Sequence, residues 1–235
     1  MGNNYGPKIV TDGLLVCLDG AKYSGSGSNW YDSATTDYWV KTGDPTWSAS
    51  QGYFEFDGTT DGFTLNTHTT TLDPNIQNMT WETWCQVDST TGDRYIYSNY
   101  ESGNDRIEFR VGTGGKWARM LMNNSGTVWY RDTATAAVTG TWVHIVVLYE
   151  RSAANMQNGV SFYVNGAADA GTTNGGTWVQ NATIQPASTV DSVGRRGASS
   201  SDLDGKIAVV RIYNKKLTVD EIKQNFNAQK TRFSL

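Results

Sequence analysis

The sequence has few residues suited to metal or redox chemistry, because its 235 residues include two cysteines and two histidines. Cys17 and Cys85 each lie within an apolar run, where a free thiol behaves as a small buried hydrophobic group. The sequence leaves open whether they pair. No cluster with His68 or His144 has zinc-ligand spacing, and His144 lies inside an apolar run. We therefore predict that His144 is a hydrogen-bonded core histidine and expect no zinc site.

Charge is also scarce. Only 18% of the residues are charged, and 19 basic against 23 acidic side chains give a net charge of −4. A nucleic-acid partner normally requires a dense basic face, so this class of partner is excluded. No apolar run approaches the roughly 18 residues that a membrane-spanning helix needs, so membrane insertion is not expected. The first six residues lack the basic and apolar regions of a secretory signal, which predicts synthesis in a cytoplasm without one.

Short apolar runs bounded by Gly, Asn, Asp and Ser dominate what is present, together with 25 glycines and 9 tryptophans. Such runs at a spacing of roughly 8–12 residues are typical of a β-sandwich or jelly roll. The central run, Trp142–Tyr149, is apolar on both faces and predicts a strand between two layers. Val160–Val164 alternates and ends at Asn165-Gly166, which suits a tight reversal. We expect an exposed loop over 151–159.

A single helix is predicted near the C-terminus, after a strong strand at Asp204–Tyr213. Thr218 and Glu221 have the spacing of a capping box, in which each side chain bonds a backbone amide of the first turn. Leu217 and Ile222 fit the hydrophobic contact that often accompanies this box. The helix therefore closes an otherwise all-β chain.

The chain shows no internal repeat and no convincing linker, so we predict one domain over residues 1–235 with a core from about 8 to 230. Its predicted fold is a two-sheet antiparallel jelly-roll sandwich with one short C-terminal α-helix. Residues 167–192 are predicted to form a wide loop with edge strands near Trp178 and Ile184.

Catalysis by carboxylates is not supported by the spacing of the acidic residues. Glu55 and Asp57 are two residues apart, which places both on one face of a strand, as in the acid pair of sugar-cleaving jelly rolls. The position where a third acid would follow holds Thr59. We therefore predict no catalytic residue, and a polysaccharide hydrolase is the weakest functional alternative.

Four aspartates flank turns and offer oxygen ligands of the kind that Ca²⁺ binds. These are Asp57, Asp61, Asp202 and Asp204. Asx-turn capping is the favoured role for such residues, since the Asp side chain accepts hydrogen bonds from its own turn. Calcium is kept as the only cofactor alternative, and no other metal or cofactor is expected.

Tryptophan rings could stack on the C–H faces of sugar rings. Trp81 and Trp142 lie in apolar strands and are expected in the core. The remaining candidates for carbohydrate binding lie next to loops: Trp47, Trp117, Trp129 and Trp178.

Several segments together resemble the concanavalin A-like, laminin-G-type jelly rolls found in structural proteins of tailed phages, especially marine and cyanobacterial ones. The resemblance runs from about residue 8 to about 230, and the closing strand and helix are its most specific part. The segments that carry it are Gly13–Ala21, Tyr23–Asp32, Tyr53–Gly62, Thr80–Val87, Thr141–Gly166 and Leu203–Phe226.

The resemblance implies a non-enzymatic virion structural protein, displayed on a capsid or fibre as a decoration or adhesion module. Its expected partners are other virion proteins, with a homo-oligomer as a further expectation. The expected location is the virion surface, after synthesis in the host cytoplasm. The alternative is a lectin-like module that recognises host or environmental glycans, because this fold serves several functions.

Overall fold

The structure is a computed structural model that describes residues 8–66, 78–100, 106–124, 126–181, 191–197 and 202–235. Two antiparallel β-sheets stack as a sandwich, which confirms the predicted fold class. The strands are β1 (Leu14–Asp19), β2 (Asn29–Tyr31), β3 (Tyr38–Thr42), β4 (Thr46–Ser48), β5 (Tyr53–Asp57), β6 (Gly62–Leu65), β7 (Met79–Val87), β8 (Arg94–Tyr100), β9 (Arg106–Val111), β10 (Arg119–Asn124), β11 (Thr127–Asp132), β12 (Val143–Tyr149), β13 (Val160–Val164), β14 (Ala167–Asp169), β15 (Thr172–Gly176), β16 (Asp191–Val193) and β17 (Asp204–Tyr213).

The chain crosses from one sheet of the sandwich to the other several times. Sheet A has the order β14-β13-β12-β7-β17-β5-β4, and β1 also pairs with β17. Sheet B has the order β15-β11-β10-β9-β8-β16-β6-β3-β2. Strand β17 pairs with β7 along one side and with β5 and then β1 along the other. The strands β4 and β2 therefore form edges of the two sheets.

The central hairpin lies where the sequence predicts it. Every residue of β12 is buried, and β12 pairs with β7 on one side and β13 on the other. Asn165 (φ 51°) and Gly166 (φ 76°) make the tight turn into β14, which needs two positive φ angles. The inner face of this hairpin belongs to a core rich in aromatic side chains, including Trp30, Trp39, Trp81, Trp129, Phe54, Phe56 and Phe63.

The outer face of sheet A is covered by helix α2 (Val219–Gln229) and the 3₁₀ turn Lys230–Phe233 that follows it. The predicted capping box is present, with the Thr218 side chain accepting from the amide of Glu221 and the Glu221 side chain accepting from that of Thr218. Leu217 and Ile222 share one buried cluster. The helix therefore buries the outer face of β12, whose inner face lies in the core between the sheets.

Two local expectations need correction. Residues 151–159 are not wholly an exposed loop, because the short helix α1 (Met156–Gly159) forms there and Met156 is buried. The strand predicted near Trp178 lies earlier, at β15, and Ile184 is outside the described residues, as is His68.

Cys17 and Cys85 are both buried free thiols. Within the described ranges, no helix has the length and apolar character to cross a membrane.

Candidate functional site

A groove opens between the edges of the two sheets. The edge strand β4 of sheet A forms one wall, and the loop before β2 together with the end of β3 forms the other. We call this cavity of about 330 Å³ the aromatic groove. It is lined by Tyr23, Gly25, Ser26, Gly27, Lys41, Asp44, Pro45, Thr46, Trp47 and Phe54.

Trp47 is the centre of the aromatic groove and is fixed in place by its neighbours. Its indole Nε1 donates a hydrogen bond to the carbonyl oxygen of Gly20, at 2.9 Å. Its ring lies 5.5 Å from that of Tyr23, at an interplanar angle of 59°. Tyr23 in turn makes an edge contact with the core ring of Phe54, at 4.9 Å. Trp47 is half-buried, so one part of a rigidly held aromatic surface faces the groove.

A glycine loop keeps that surface uncovered. Gly25 has φ +83°, and a Cβ atom at this position would lie 3.0 Å from Cζ3 of Trp47. Gly27 has a similar backbone conformation, φ +93°, but a Cβ atom there would have nothing within 4 Å. Both positions therefore favour glycine because of their positive φ. Only at Gly25 would a side chain also press against the indole ring of Trp47.

Polar groups surround the aromatic surface. The ammonium of Lys41 pairs with the carboxylate of Asp44 at 2.8 Å, and the Asp44 side chain is 93% exposed. The hydroxyl of Tyr23 donates to the carbonyl oxygen of Gly27, and that of Ser24 donates to Ser26. Lys41, Asp44 and Ser26 line the aromatic groove together with Trp47. An apolar surface ringed by a few polar groups is typical of a small-ligand site.

A second cavity of about 430 Å³ adjoins the groove and shares Asp44 and Thr46 with it. We call it the acidic pocket. It is lined by Asp44, Thr46, Glu55, Phe56, Asp57, Thr60, Asp61, Asp88 and Asp204.

Two of the predicted calcium residues shape the turn that forms the acidic pocket. Asp57 accepts hydrogen bonds from the backbone amides of Thr59 and Thr60 and from the Thr59 hydroxyl. The hydrogen bond from the Thr59 side chain is the main cause that lowers the pKa of Asp57. Asp61 accepts from the amides of Asp44 and Asp57, while burial raises its pKa. Asp57 thus caps its own turn, as Asx residues commonly do. Asp61 closes the same turn through the Asp57 amide and ties it to the segment at Asp44.

The other two predicted calcium residues lie on and beside β17. Asp204 is half-buried, pairs across the sheet with Asp57 and lines the acidic pocket. Asp202 is fully buried. Burial raises its pKa to about 6, although the positive charge of Arg195 acts to lower it. In the part of the chain that the structure describes, no three His, Cys, Asp or Glu side chains are grouped to hold a metal ion. The pocket therefore offers carboxylates but no formed set of ligands.

The structure separates the four candidate tryptophans. Trp117 and Trp129 are 5% and 1% exposed and belong to the core, so the prediction that they bind sugar at the surface is wrong. Trp178 is half-buried far from the groove, where its Nε1 donates to the Ala153 carbonyl and its ring lies 4.7 Å from that of Trp129. Of the four, Trp47 alone lines a cavity reported above.

Sequence reasoning missed the other members of the aromatic groove. Tyr23 and Lys41 lie 24 and 6 residues before Trp47, and both contribute to the wall opposite β4. The signal available was the aromatic residue at Tyr23 directly before a glycine- and serine-rich stretch. Its relation to Trp47 depends on the meeting of two sheet edges, which a local pattern does not contain.

Two stacked antiparallel sheets with a groove at one edge define a jelly-roll β-sandwich. A sequence profile of the Concanavalin A-like lectin/glucanases superfamily matches residues 56–223, and the chain belongs to this family. A search of curated protein sequences gave no match.

Solved structures with the same fold come from several kinds of protein. Trypanosoma rangeli sialidase in complex with 2,3-difluorosialic acid is 19% identical, with a TM-score of 0.67 over 95% of this chain and 34% of the sialidase. This chain therefore spans about a third of the sialidase. The receptor-binding domain of botulinum neurotoxin C/D mosaic serotype is 12% identical, with a TM-score of 0.68 over 94% of this chain and 52% of the other.

A further structure is matched over nearly its whole length. Domain 4 of AbnA, an extracellular arabinanase of Geobacillus stearothermophilus, was solved in complex with arabinotriose. It is 16% identical, with a TM-score of 0.64 over 90% of this chain and 97% of that domain. At these identities the likeness establishes the fold.

Proposed function

We propose that this protein is a non-catalytic carbohydrate-binding module whose ligand lies in the aromatic groove. The observation that carries the proposal is the position of Trp47, which is held by hydrogen bonding and ring contacts yet faces a cavity. A pyranose or furanose ring presents C–H groups on one face and hydroxyls around its edge. The ring of Trp47 contacts the C–H face of the sugar, and the surrounding polar groups of Lys41, Asp44 and Ser26 form hydrogen bonds with its hydroxyls.

The acid pair of the neighbouring pocket supports binding rather than hydrolysis. A glycosidase needs one carboxyl group with a raised pKa as its general acid. Asp57 has the opposite shift, because the Thr59 hydroxyl stabilises its charged form. Both Asp57 oxygens also accept hydrogen bonds within the turn. Asp61, the acid of this pocket whose pKa is raised by burial, has both of its oxygens occupied by hydrogen bonds from backbone amides. Glu55 is exposed and lies 3.8 Å from the ammonium of Lys206.

The biological setting follows from the resemblance described above and stays a prediction. In that setting the module is displayed on the capsid or a fibre of a tailed phage, bound to other virion proteins and repeated by virion symmetry. Glycan recognition is compatible with such display. Mass spectrometry of purified virions of a phage encoding this chain tests the setting, because absence of the protein from them would contradict it.

The binding proposal is tested by calorimetric titration with arabinotriose, together with a screen of neutral plant and bacterial glycans. Arabinotriose is the first probe because the AbnA domain of the same fold was solved with it. We expect Trp47→Ala to weaken binding of the recognised glycan by about tenfold or more, which corresponds to 1.4 kcal/mol. Tyr31→Ala is the matched control, since Tyr31 is 61% exposed and outside the groove. Equal affinities of the two variants, or no bound glycan, would contradict the proposal.

A further inference from the structure

The guanidinium of Arg232, in the 3₁₀ turn that follows helix α2, joins two segments that are distant from it in the sequence. Its Nε and Nη2 donate to the carbonyl oxygens of Gln51 and Gly52, at 2.6 and 2.5 Å. Its Nη1 donates to Oδ1 of Asp19, at 2.8 Å. Because all three nitrogen atoms of a planar group donate in fixed directions, the acceptors are held in one arrangement relative to each other.

The first of these segments is the turn of the hairpin that carries Trp47. Gln51 and Gly52 lie between β4 and β5, and Trp47 pairs with Phe54 across that hairpin. The side chain of Gln51 also donates to the carbonyl oxygen of Arg232, at 3.2 Å. The hairpin and the 3₁₀ turn are therefore joined by hydrogen bonds in both directions.

The second segment contains the acceptor of the Trp47 indole. Asp19 caps the 3₁₀ turn Gly20–Lys22, because its Oδ1 accepts from a backbone amide of that turn, at 3.0 Å. Gly20 is the first residue of this turn, and its carbonyl oxygen accepts from Nε1 of Trp47. Arg232 therefore binds the residue that directly precedes the indole's acceptor.

The two segments also contact each other directly. A Cβ atom on Gly20 would lie 2.3 Å from the carbonyl oxygen of Gly52, and one on Gly52 would lie 2.5 Å from the Cα and the backbone nitrogen of Ala21. Glycine at both positions permits this close approach, and both glycines are buried. The Gly52 oxygen that accepts from Arg232 is the same one that packs against Gly20. A displacement of Gly52 therefore changes the position of the indole's acceptor.

The residue after Arg232 anchors the 3₁₀ turn to sheet A. Phe233 is buried, and its ring stacks on that of Trp84, 4.4 Å away and at an interplanar angle of 19°. The same ring lies 4.7 Å from that of Trp142. Arg232 therefore reaches Asp19 and the hairpin turn from a rigidly packed support.

We propose that Arg232 is a positioning residue of the aromatic groove, which holds Gly20 and Gly52 in place and through them orients the indole of Trp47. Arg232 does not line the groove, so it acts on the ligand through Trp47. A ring that is fixed before the ligand arrives requires less ordering on binding. The effect on binding rests on the function proposed above, whereas the effect on the indole does not.

The indole N–H of Trp47 reports its hydrogen bond to Gly20 without any ligand. The test measures exchange of indole protons with water by NMR of the ¹⁵N-labelled protein. Trp178 is the internal reference, since its Nε1 also donates to a backbone carbonyl at 2.9 Å and its side chain is also half-buried. We expect Arg232→Gln to increase the ratio of Trp47 to Trp178 exchange rates by about tenfold or more, because the Trp47 hydrogen bond then opens more often. Arg232→Lys, which keeps the charge without the planar fork, should be intermediate.

Arg119→Gln is the matched control. The side chain of Arg119 is 19% exposed and pairs with buried Asp132 at 2.7 Å, and that of Arg232 is 18% exposed and pairs with Asp19 at 2.8 Å. The control pair lies on sheet B, outside the lining of the aromatic groove. We expect Arg119→Gln to change the exchange ratio by less than about twofold, because the opening it causes is local to its own strands.

Calorimetric titration with the glycan that the unchanged protein recognises tests the consequence for binding. We expect Arg232→Gln to weaken the affinity by about fivefold or more and Arg119→Gln by less than about twofold. In the Trp47→Ala background, Arg232→Gln should have almost no further effect, because its effect on binding passes through the indole.

Three outcomes would overturn the proposal. These are equal acceleration of exchange at Trp47 and Trp178 in Arg232→Gln, an equal effect of the Arg119 and Arg232 variants, or an unchanged glycan affinity in Arg232→Gln. Thermal unfolding shows whether each variant is folded, and Arg232→Lys covers the case in which Arg232→Gln does not fold. If the unchanged protein binds no glycan, the proposed function fails, and the exchange ratio still decides whether Arg232 positions the indole.

Discussion

His144 Nε2 lies 2.9 Å from Glu82 Oε1, and both side chains are fully buried beneath helix α2. The same oxygen accepts a hydrogen bond from Arg211, at 2.7 Å, and the other oxygen accepts one from Asn225, at 2.7 Å. Burial alone would raise the pKa of Glu82, but the charge of Arg211 and the hydrogen bond from His144 outweigh it and lower the pKa to about 2. An ionised Glu82 can only accept, so Nε2 of His144 carries the proton. This network joins sheet A to the C-terminal helix.

Replacing Glu82 tests the network. Glu82→Gln leaves the buried guanidinium of Arg211 without its counter-charge, and we expect a loss of about 3–5 kcal/mol in the free energy of unfolding. Glu55→Gln is the control, since Glu55 is also a strand glutamate of sheet A but is half exposed; its loss should cost at most about 1 kcal/mol. Urea unfolding measures both. A similar effect of the two variants would mean that the network contributes little.

The stability should also depend on pH through Glu82. Its folded-state pKa is lowered from the usual 4.5 to about 2. The resulting stabilisation is present above pH 4.5 and is lost as the pH falls towards 2, by up to about 3 kcal/mol. Unfolding free energies measured between pH 5 and 2.5 should therefore decline more steeply for the unchanged protein than for Glu82→Gln. Parallel curves would contradict this assignment.

The glycine loop gives a sharp test of the aromatic groove. Gly25→Ala and Gly27→Ala introduce the same strain, because both positions have a positive φ, but only the first places a methyl group against Trp47. We expect Gly25→Ala to weaken glycan binding several-fold more than Gly27→Ala, at similar loss of stability. Calorimetry and thermal melting check the two quantities. Equal affinities would show that the ligand does not use this side of the indole.

The capping box should support the whole C-terminal cover. Thr218→Ala removes the acceptor for the Glu221 amide, and we expect a loss of about 1 kcal/mol in the free energy of unfolding. Because α2 carries Asn225, amide hydrogen exchange in the helix should increase more than exchange in the strands of sheet B. Thr218→Ser, which retains the hydroxyl, is the control and should change little. Uniform exchange throughout the chain would contradict a local role.

The sequence predicted the elements whose pattern is local. The apolar run around Trp81 predicted a buried strand, which is β7, and the spacing of Thr218 and Glu221 predicted the start of α2. In β7, Glu82 and Trp84 lie on the face opposite to Trp81, because successive side chains of a strand alternate. What the sequence could not predict was that the face with Glu82 is also buried, because the cover comes from the far end of the chain. Arg232 and Asp19, 213 residues apart, meet in the same region.

The candidate tryptophans show the same limit. Trp117 and Trp129 lie beside loops in the sequence, yet both belong to the buried core, and Trp129 stacks against Tyr149 of the opposite sheet. Trp47 is of the same residue type in a similar context, but it lies on the edge strand β4, where the opposite sheet ends. Exposure of a tryptophan is decided by strand order, and strand order is a tertiary property.

Glycan binding in the aromatic groove is tested most directly by the tryptophan indole N–H signals in the NMR spectrum of ¹⁵N-labelled protein, recorded during titration with the glycan selected by the screen. Each indole reports its own surroundings, and Trp47→Phe assigns the signal of interest. We predict that the Trp47 signal shifts with saturation while those of the buried Trp81 and Trp129 remain in place. Saturable shifts of other tryptophans with an unchanged Trp47 signal would contradict glycan binding in the aromatic groove.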